Sequence, residues 1–354
     1  MNNLAKFGWT KENQSEWDTL KLDGVQPARV VADFGTSLKL ATPEIITAEL
    51  SGKLAHYSSR DDTPKVGDWV AVHILDSGAV VESVVLRSNE IARKVAGKRV
   101  LKQIFATNVD IAFVLLALDN DFNVERLKRF LFQLSVSAIE TAIILNKADK
   151  TDDLQSYMTQ LQSFDMPIIV SIATDLSSVN EIATLIKPGR TAILLGSSGV
   201  GKSTLTNKLL GRQAQRTNTV RSSDSTGRHT TVHRELFILP NGGILIDTPG
   251  IRELQLWGTE DELDANFDDI IQLAKKCKYT NCSHAHEKGC AIHKALANGT
   301  LEKSHYANYL KMKSEVSTLS IRNAERIRRE NGRKRKRSAK NDADENYRFL
   351  TEDE

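Results

Sequence analysis

The stretch Gly196-Ser-Ser-Gly-Val-Gly-Lys-Ser-Thr constrains the fold of this chain more than any other. It fits G-x-x-x-x-G-K-[ST] at Gly196, Gly201, Lys202 and Ser203. It follows the apolar run Thr191–Leu195 and opens a helix-like run from Lys202 to Leu210. Strand, glycine loop and helix in that order demand a parallel α/β sheet and a phosphate-binding loop. Glycines let the backbone wrap phosphate oxygens and aim several N–H groups inward. The helix N-terminus adds a favourable dipole. Ser197, Ser198, Gly199, Val200 and Thr204 complete the cradle, Lys202 is expected on the β- and γ-phosphates, and the Ser203 hydroxyl on Mg²⁺.

The surrounding texture agrees. Ile111–Leu118 is a continuous apolar run, as expected of a strand buried on both faces of a parallel sheet. Ala142–Leu145, Pro167–Val170, Thr191–Leu195 and Gly243–Ile246 are further buried strands, and helix-like stretches such as Val124–Val136 separate most of them.

Two more motifs bear on the ligand. Asp247-Thr-Pro-Gly follows the strand Gly243–Ile246. Asp247 is placed to hold Mg²⁺ through water, and the Gly250 N–H to meet the γ-phosphate. Asn146-Lys-Ala-Asp follows the strand Ala142–Leu145 and reads as a guanine site. The Asp149 carboxylate accepts from the ring N1–H and the exocyclic amine, a donor pair that adenine lacks. Asn146 buttresses the loop, Ala148 completes it, and the Lys147 stem lies along the base. Ser171-Ile-Ala, after the strand Pro167–Val170, is expected to support the base from its backbone.

Asn146–Asp149 comes before the phosphate loop, the reverse of the order in ordinary GTPases. Loops at one edge of a parallel sheet meet in space whatever their chain order, so the chain reads as a circularly permuted GTPase. Ile251 stands where Ras-like enzymes orient water with glutamine. Slow intrinsic turnover is expected. In Ser225-Thr-Gly-Arg-His-Thr-Thr, His229 is the candidate for positioning water, and Thr230 or Thr231 for completing the Mg²⁺ shell.

Elsewhere the texture differs. Residues 1–24 show no period and read as a flexible arm. From 25 to 103 short strands dominate: Ala28–Phe34, Ser37–Leu40, and a hairpin of Asp68–Leu75 and Ala79–Leu86. A five-stranded oligonucleotide-binding (OB-like) β-barrel or a generic β domain both fit. The α/β GTPase domain is expected over 104–258. A helical zinc-binding domain is expected over 259–325, with helices over Glu260–Ala274 and His293–Glu315. A basic, then acidic, disordered tail follows over 326–354.

All three cysteines fall in Cys277-x₄-Cys282-x-His284-x₅-Cys290, which is no disulfide framework. Three thiolates and an imidazole make a closed tetrahedral set for structural Zn²⁺. His286 competes with His284 for the fourth place.

Charge is uneven. The chain carries 48 Lys and Arg against 45 Asp and Glu. Residues 321–340 hold ten basic and two acidic side chains, and 341–354 six acids and one arginine. The basic run can meet nucleic-acid phosphates or stay solvated. The longest apolar run is eight residues, far short of the about 20 a membrane helix needs. Neither a membrane span nor a secretory signal is expected, and the cytoplasm is the expected compartment.

Together the β-rich N-terminal region, N-K-x-D before the phosphate loop, Gly227-Arg-His-Thr-Thr, Asp247-Thr-Pro-Gly-Ile and the Cys/His cluster resemble the RsgA family of permuted GTPases. The resemblance spans about residues 25–325. It implies an oligonucleotide-binding barrel, a permuted GTPase domain and a zinc domain, with Cys277, Cys282, His284 and Cys290 as ligands and His229 as the proposed catalytic histidine. It also implies a GTPase that binds the small ribosomal subunit and its rRNA, is stimulated by it, and assists late maturation; a monomer is expected. Two other readings compete. A non-enzymatic RNA-binding module is opposed by intact Lys202, Ser203, Asp247 and Asp149, and an ATP-driven enzyme is opposed by Asp149.

Overall fold

The computed structural model describes residues 4–35, 37–57, 63–94, 102–213, 234–247, 256–285, 287–325 and 328. The chain divides into two compact units, Met1–Arg93 with Lys102–Gln255, and Lys94–Leu101 with Leu256–Glu354.

The first unit begins with a 3₁₀ turn, Ala5–Phe7, and helix α1, Lys11–Thr19. This stretch shows no period in sequence because the turn is too short for one and α1 buries no residue. It is nonetheless structured. Thr10 and Asn13 form a capping box at the start of α1, Leu4 and Phe7 are buried, and the Trp9 ring meets Trp69 edge-on at 4.7 Å.

Strands β1 (Gln26–Asp33), β2 (Leu38–Ala41), β3 (Ile45–Leu50), β4 (Trp69–Leu75) and β5 (Gly78–Leu86) follow, with helix α2 (Gly52–Tyr57) after β3. Their order is β1-β2-β3-β5-β4, and β4 returns to β1, so the sheet closes into a five-stranded barrel. Every pairing is antiparallel except β3 with β5. Register shifts in β1 and β4 supply the bends that closure needs. Val30, Leu40, Ala48, Val70, Val72 and Val81 fill the core. The oligonucleotide-binding expectation is thereby favoured over a generic β domain by topology. β3 and α2 carry no clear sequence signal.

A two-stranded ribbon, β6 (Glu90–Lys94) and β7 (Lys102–Thr107), leads into the α/β part. There β8 (Ile111–Ala117), α3 (Val124–Val136), β9 (Glu140–Asn146), α4 (Leu154–Leu161), β10 (Ile168–Val170), α5 (Leu176–Leu185), β11 (Thr191–Gly196), α6 (Lys202–Leu209), β12 (Arg234–Ile238) and β13 (Ile244–Asp247) alternate. The strand order is β10-β9-β8-β11-β13-β12. All pairs are parallel except β12 with β13. β12 then pairs with the end of β1, which joins barrel and α/β sheet.

Every residue of β8 is buried, and its alternation serves two cores. Val114 and Leu116 face Leu127, Phe130 and Leu134 of α3. Phe113 and Leu115 belong with Val179, Ile182, Leu205 and Leu209 of α5 and α6.

Arg29 of β1 ties four segments together. Its guanidinium is buried and donates to the carbonyls of Phe7, Gly67 and Asn108 and to Thr191 Oγ1 at 2.9 Å. Its face lies over the Trp69 ring. Burial pushes its pKa down to about 10, against the pull of Asp110 and Asp68.

The second unit holds α7 (Glu260–Ala265), α8 (Asp268–Ala274), α9 (Ala291–Ala297) and α10, residues 303–325. Leu263, Phe267, Ile270, Ile292, Tyr309, Met312, Val316 and Leu319 are buried. Two expected helices each break once. Asn266 and Phe267 separate α7 from α8, where the Asn266 amide bonds back to the Glu262 carbonyl. Asn298-Gly299-Thr300 separates α9 from α10, with Gly299 at φ +77°, where a helix cannot continue. No described helix is long and apolar enough to cross a membrane. The expected tail over 326–354 lies outside the described residues, Arg328 apart.

Candidate functional site

The parallel register brings three loops to one edge. β8 sits between β9 and β11, with Ala117 opposite Asn146 and Leu115 opposite Gly196. The turn after β8, the Asn146–Asp149 segment and the phosphate loop therefore leave the sheet side by side. Chain order is no obstacle to their meeting.

Two glycines of the phosphate loop are dictated by contact. A Cβ on Gly196 (φ +145°) would lie 2.6 Å from the Leu115 carbonyl oxygen. One on Gly201 (φ +105°) would lie 2.2 Å from Asn146 Nδ2. That amide needs the space: it donates to the Val200 carbonyl at 2.7 Å, while Asn146 Oδ1 accepts from the Ala173 N–H at 3.0 Å. Asn146 is 1% exposed and fastens the phosphate loop to the Ser171–Ala173 segment. The Ala148 N–H donates to the Ser171 carbonyl, and the Ser171 hydroxyl is buried with no hydrogen-bond partner among the described residues.

Lys202 opens α6 and folds back over the loop, donating to the carbonyls of Gly196 and Ser197, both at 2.6 Å. Burial pushes its pKa down to about 8, against the pull of Asp247 and Asp121. Ser203 and Thr204 follow on the first turn of α6, half-buried. Ser198 and Gly199 are exposed at the loop's crest, and Val200 is packed beneath it. Lys147 takes a left-handed backbone (φ +61°) that starts the 3₁₀ turn Ala148–Lys150. It turns the Asp149 carboxylate outward, 42% exposed, with Lys150 Nζ at 3.4 Å.

Sequence reasoning missed two residues. Asp119 accepts from Lys147 Nζ at 2.7 Å. Asp121 accepts from the Ser197 hydroxyl and from Arg126 at 2.7 Å. Burial alone would raise both carboxyl pKa values. Hydrogen bonds from Lys147 to Asp119, and from Arg126 and Ser197 to Asp121, outweigh it and hold both below the ordinary range. Two acids directly after a fully buried parallel strand were the available signal. His229, Thr230, Thr231, Gly250 and Ile251 lie outside the described residues.

In the second unit the Sγ atoms of Cys277, Cys282 and Cys290 and a ring nitrogen of His284 lie within 4.8 Å of one another. Cys277 Sγ is 3.9 Å from Cys290 Sγ, and His284 Nδ1 is 3.6 and 3.5 Å from those two sulfurs. A tetrahedron with Zn–S about 2.3 Å and Zn–N about 2.0 Å has edges of roughly 3.8 Å (S···S) and 3.5 Å (S···N). The donor set therefore fits zinc by size and by chemistry. The backbone supports the sulfurs: Ala291 N–H donates to Cys277 Sγ at 3.3 Å and His293 N–H to Cys290 Sγ at 3.5 Å. The crowded sulfurs are pushed apart in acidity: burial would raise Cys277, but the Ala291 and Ile292 N–H groups and the neighbouring thiols outweigh it and hold Cys277 below the ordinary thiol range. Burial, then the neighbouring sulfurs, push Cys282 up to about 11, although the His284 backbone N–H works the other way. His284 is in the set, and His286 lies outside the described residues.

Comparison with known proteins agrees with this geometry. Residues 84–257 match the family model described as RsgA GTPase. The small ribosomal subunit biogenesis GTPase RsgA of Leptospira interrogans (serovar Lai) is 36% identical over 344 residues, covering 95% of each chain. The crystal structure of YjeQ from Thermotoga maritima superposes with a TM-score of 0.60 at 25% identity, covering 82% of this chain and 98% of that one. YloQ, titled a circularly permuted GTPase, superposes with a TM-score of 0.58 at 22% identity, covering 84% and 96%. The expectation of a barrel, a permuted GTPase fold and helices carrying a cysteine–histidine cluster is borne out.

Proposed function

We propose that this chain, which belongs to the RsgA GTPase family, binds the small ribosomal subunit, hydrolyses GTP to GDP and phosphate when bound there, and so assists late maturation of that subunit. The observation that carries the reading is Asn146, one buried side chain bonded both to the phosphate loop and to the Ser171–Ala173 segment. It makes one pocket of segments that arrive in rotated order.

In that pocket Asp149 pairs with the guanine edge, and Lys147 and Ala148 frame the base. Gly196–Thr204 wraps the phosphates by backbone N–H groups. Lys202 exchanges its two carbonyl partners for β- and γ-phosphate oxygens. Ser203 and Asp247, with Thr230 or Thr231, would hold Mg²⁺, which neutralises charge on the phosphate oxygens. Gly250 meets the γ-phosphate, and His229 positions the attacking water in place of the glutamine that Ile251 displaces. The cysteine–histidine set holds zinc as a structural ion. The barrel (25–103) and zinc domain (259–325) grip rRNA, the GTPase domain (104–258) times release, and the protein works as a cytoplasmic monomer. GTP turnover with and without purified small subunits tests the reading. Turnover is expected to rise on adding small subunits and not large ones. Equal rates in all three conditions overturn it.

The shifted Lys202 gives a pH signature. Its folded pKa of about 8 in the free protein means the charge is present below that pH and lost above it. Phosphates bind the ammonium form, so binding takes up a proton above pH 8. GDP affinity is expected to be flat below pH 8 and to fall by up to about tenfold per pH unit above it. Lys202→Arg, whose guanidinium keeps its charge, flattens the slope. An unchanged slope in that variant assigns the proton elsewhere.

A further inference from the structure

The turn Asp119–Phe122 projects between the base loop and the phosphate loop because β8 lies between β9 and β11. We propose that Asp119 is a positioning residue for guanine-nucleotide binding, holding the Lys147 side chain against the base. The assignment rests on reading Asn146–Asp149 as the base loop.

The geometry of Asp119 is that of a preset support. Its Oδ1 accepts the Asp121 N–H at 2.9 Å, and its backbone carbonyl accepts the Phe122 N–H at 3.0 Å. Oδ2 is thereby aimed, and it takes Lys147 Nζ at 2.7 Å. The turn itself is anchored on both sides. The Phe122 ring meets Tyr157 edge-on at 4.7 Å, and Asp121 is held by Arg126 and Ser197. Lys147 begins from a left-handed backbone, so without a partner its long stem would sample many rotamers. Fixing the ammonium at Asp119 stretches the stem along the pocket. Its methylenes then form a flat apolar surface for a purine ring. The cost of ordering that chain is met before ligand arrives, so it does not detract from binding.

A merely structural ion pair would behave differently. Both side chains are about a third exposed, and such pairs add little to folding. Asp119→Ala is therefore expected to melt like wild type and to weaken GDP binding about tenfold. GMP, GDP and GTP should lose the same factor, because the lost support lies at the base. The deciding measurement is a double-mutant cycle on GDP affinity. On a Lys147→Ala background, Asp119→Ala should change affinity by less than about twofold. Asp119→Asn, which keeps an acceptor oxygen, should recover part of the loss and covers the case in which Asp119→Ala folds poorly. Equal losses on both backgrounds, or no loss in either Asp119 variant, overturn the proposal. Asp149→Asn measured alongside separates two failures. If it too leaves guanine preference intact, the base-loop reading falls. If it abolishes the preference while the Asp119 variants are inert, only the role of Asp119 falls.

Discussion

Replacing Asp149 by asparagine lowers GTP affinity on the order of 10⁴-fold and leaves the fold intact. The two halves of that expectation have different physical origins. In the free protein the carboxylate is 42% exposed and lies 3.4 Å from the neighbouring Lys150 Nζ, itself 63% exposed. A change at such a surface position moves stability by no more than about 0.5 kcal/mol. On the proposed reading, the same carboxylate is desolvated in the complex against the N1–H and exocyclic amine of guanine. Asparagine offers one acceptor and one donor in place of two acceptors, so an N–H is left facing an N–H. A site built around hydrogen bonds rejects a mismatched partner by about 10⁴. The donor that asparagine introduces suits a purine with a carbonyl in place of the amine, so xanthosine nucleotides should gain what guanosine nucleotides lose. Competition among GTP, XTP and ATP for the variant measures this. A variant that folds normally and binds GTP as tightly as wild type would falsify the guanine reading of Asn146–Asp149.

Which parts of this site the amino-acid sequence reveals depends on how each residue acts. Gly196, Gly201 and Lys202 fall in one short contiguous motif, which the sequence records even though the contacts that demand the glycines, with Leu115 and Asn146, are remote in the chain. β8, β9 and β11 are legible for the same reason, since burial on both faces leaves an unbroken apolar run. Asn146 is readable as a buttress, but its two partners, Val200 and Ala173, lie 54 and 27 residues away and emerge only from the sheet order. Asp119 and Asp121 leave only a faint trace in sequence, two acids after a buried strand, because their meaning is positional: they matter because β8 lies between β9 and β11. β12 escapes notice because its burial is mixed, with Leu236 alone buried, so it lacks the unbroken apolar run of β8. Arg29 lies within the expected strand Ala28–Phe34, and nothing in the sequence marks it as buried. Only the convergence of Phe7, Gly67, Asn108 and Thr191 explains a buried guanidinium there. The broken helices of the second unit are hidden because Asn266 and Asn298 are tolerated in helices and act as stops only when the chain must turn.

With zinc held by the cysteine–histidine set as proposed, removing the ion is expected to unfold the segment 277–290 and detach α9 from α8, while GDP binding by the first unit survives. α7, α8 and α9 are six or seven residues long. Helices below about 12 residues do not hold in water without tertiary support. Among the described residues, the chain between α8 and α9 forms no helix or strand. It turns through left-handed residues at His284 and Gly289, and Cys290 caps α9 by accepting the His293 N–H. Loss of the ion thus removes the cross-link, leaves three crowded sulfurs and weakens the cap together. Structural zinc in small domains contributes on the order of 10 kcal/mol, more than these short helices can replace. Chelation or Cys282→Ser should release one zinc per chain, scored with a chromogenic chelator, and should abolish hydrogen-exchange protection across 277–297. Zinc content far below one per chain, or protection unchanged after chelation, removes the ion from the fold. The same assay decides the fourth ligand. His284 Nδ1 lies at tetrahedral distance from two of the sulfurs, so His284→Ala should lose the metal and His286→Ala should keep it.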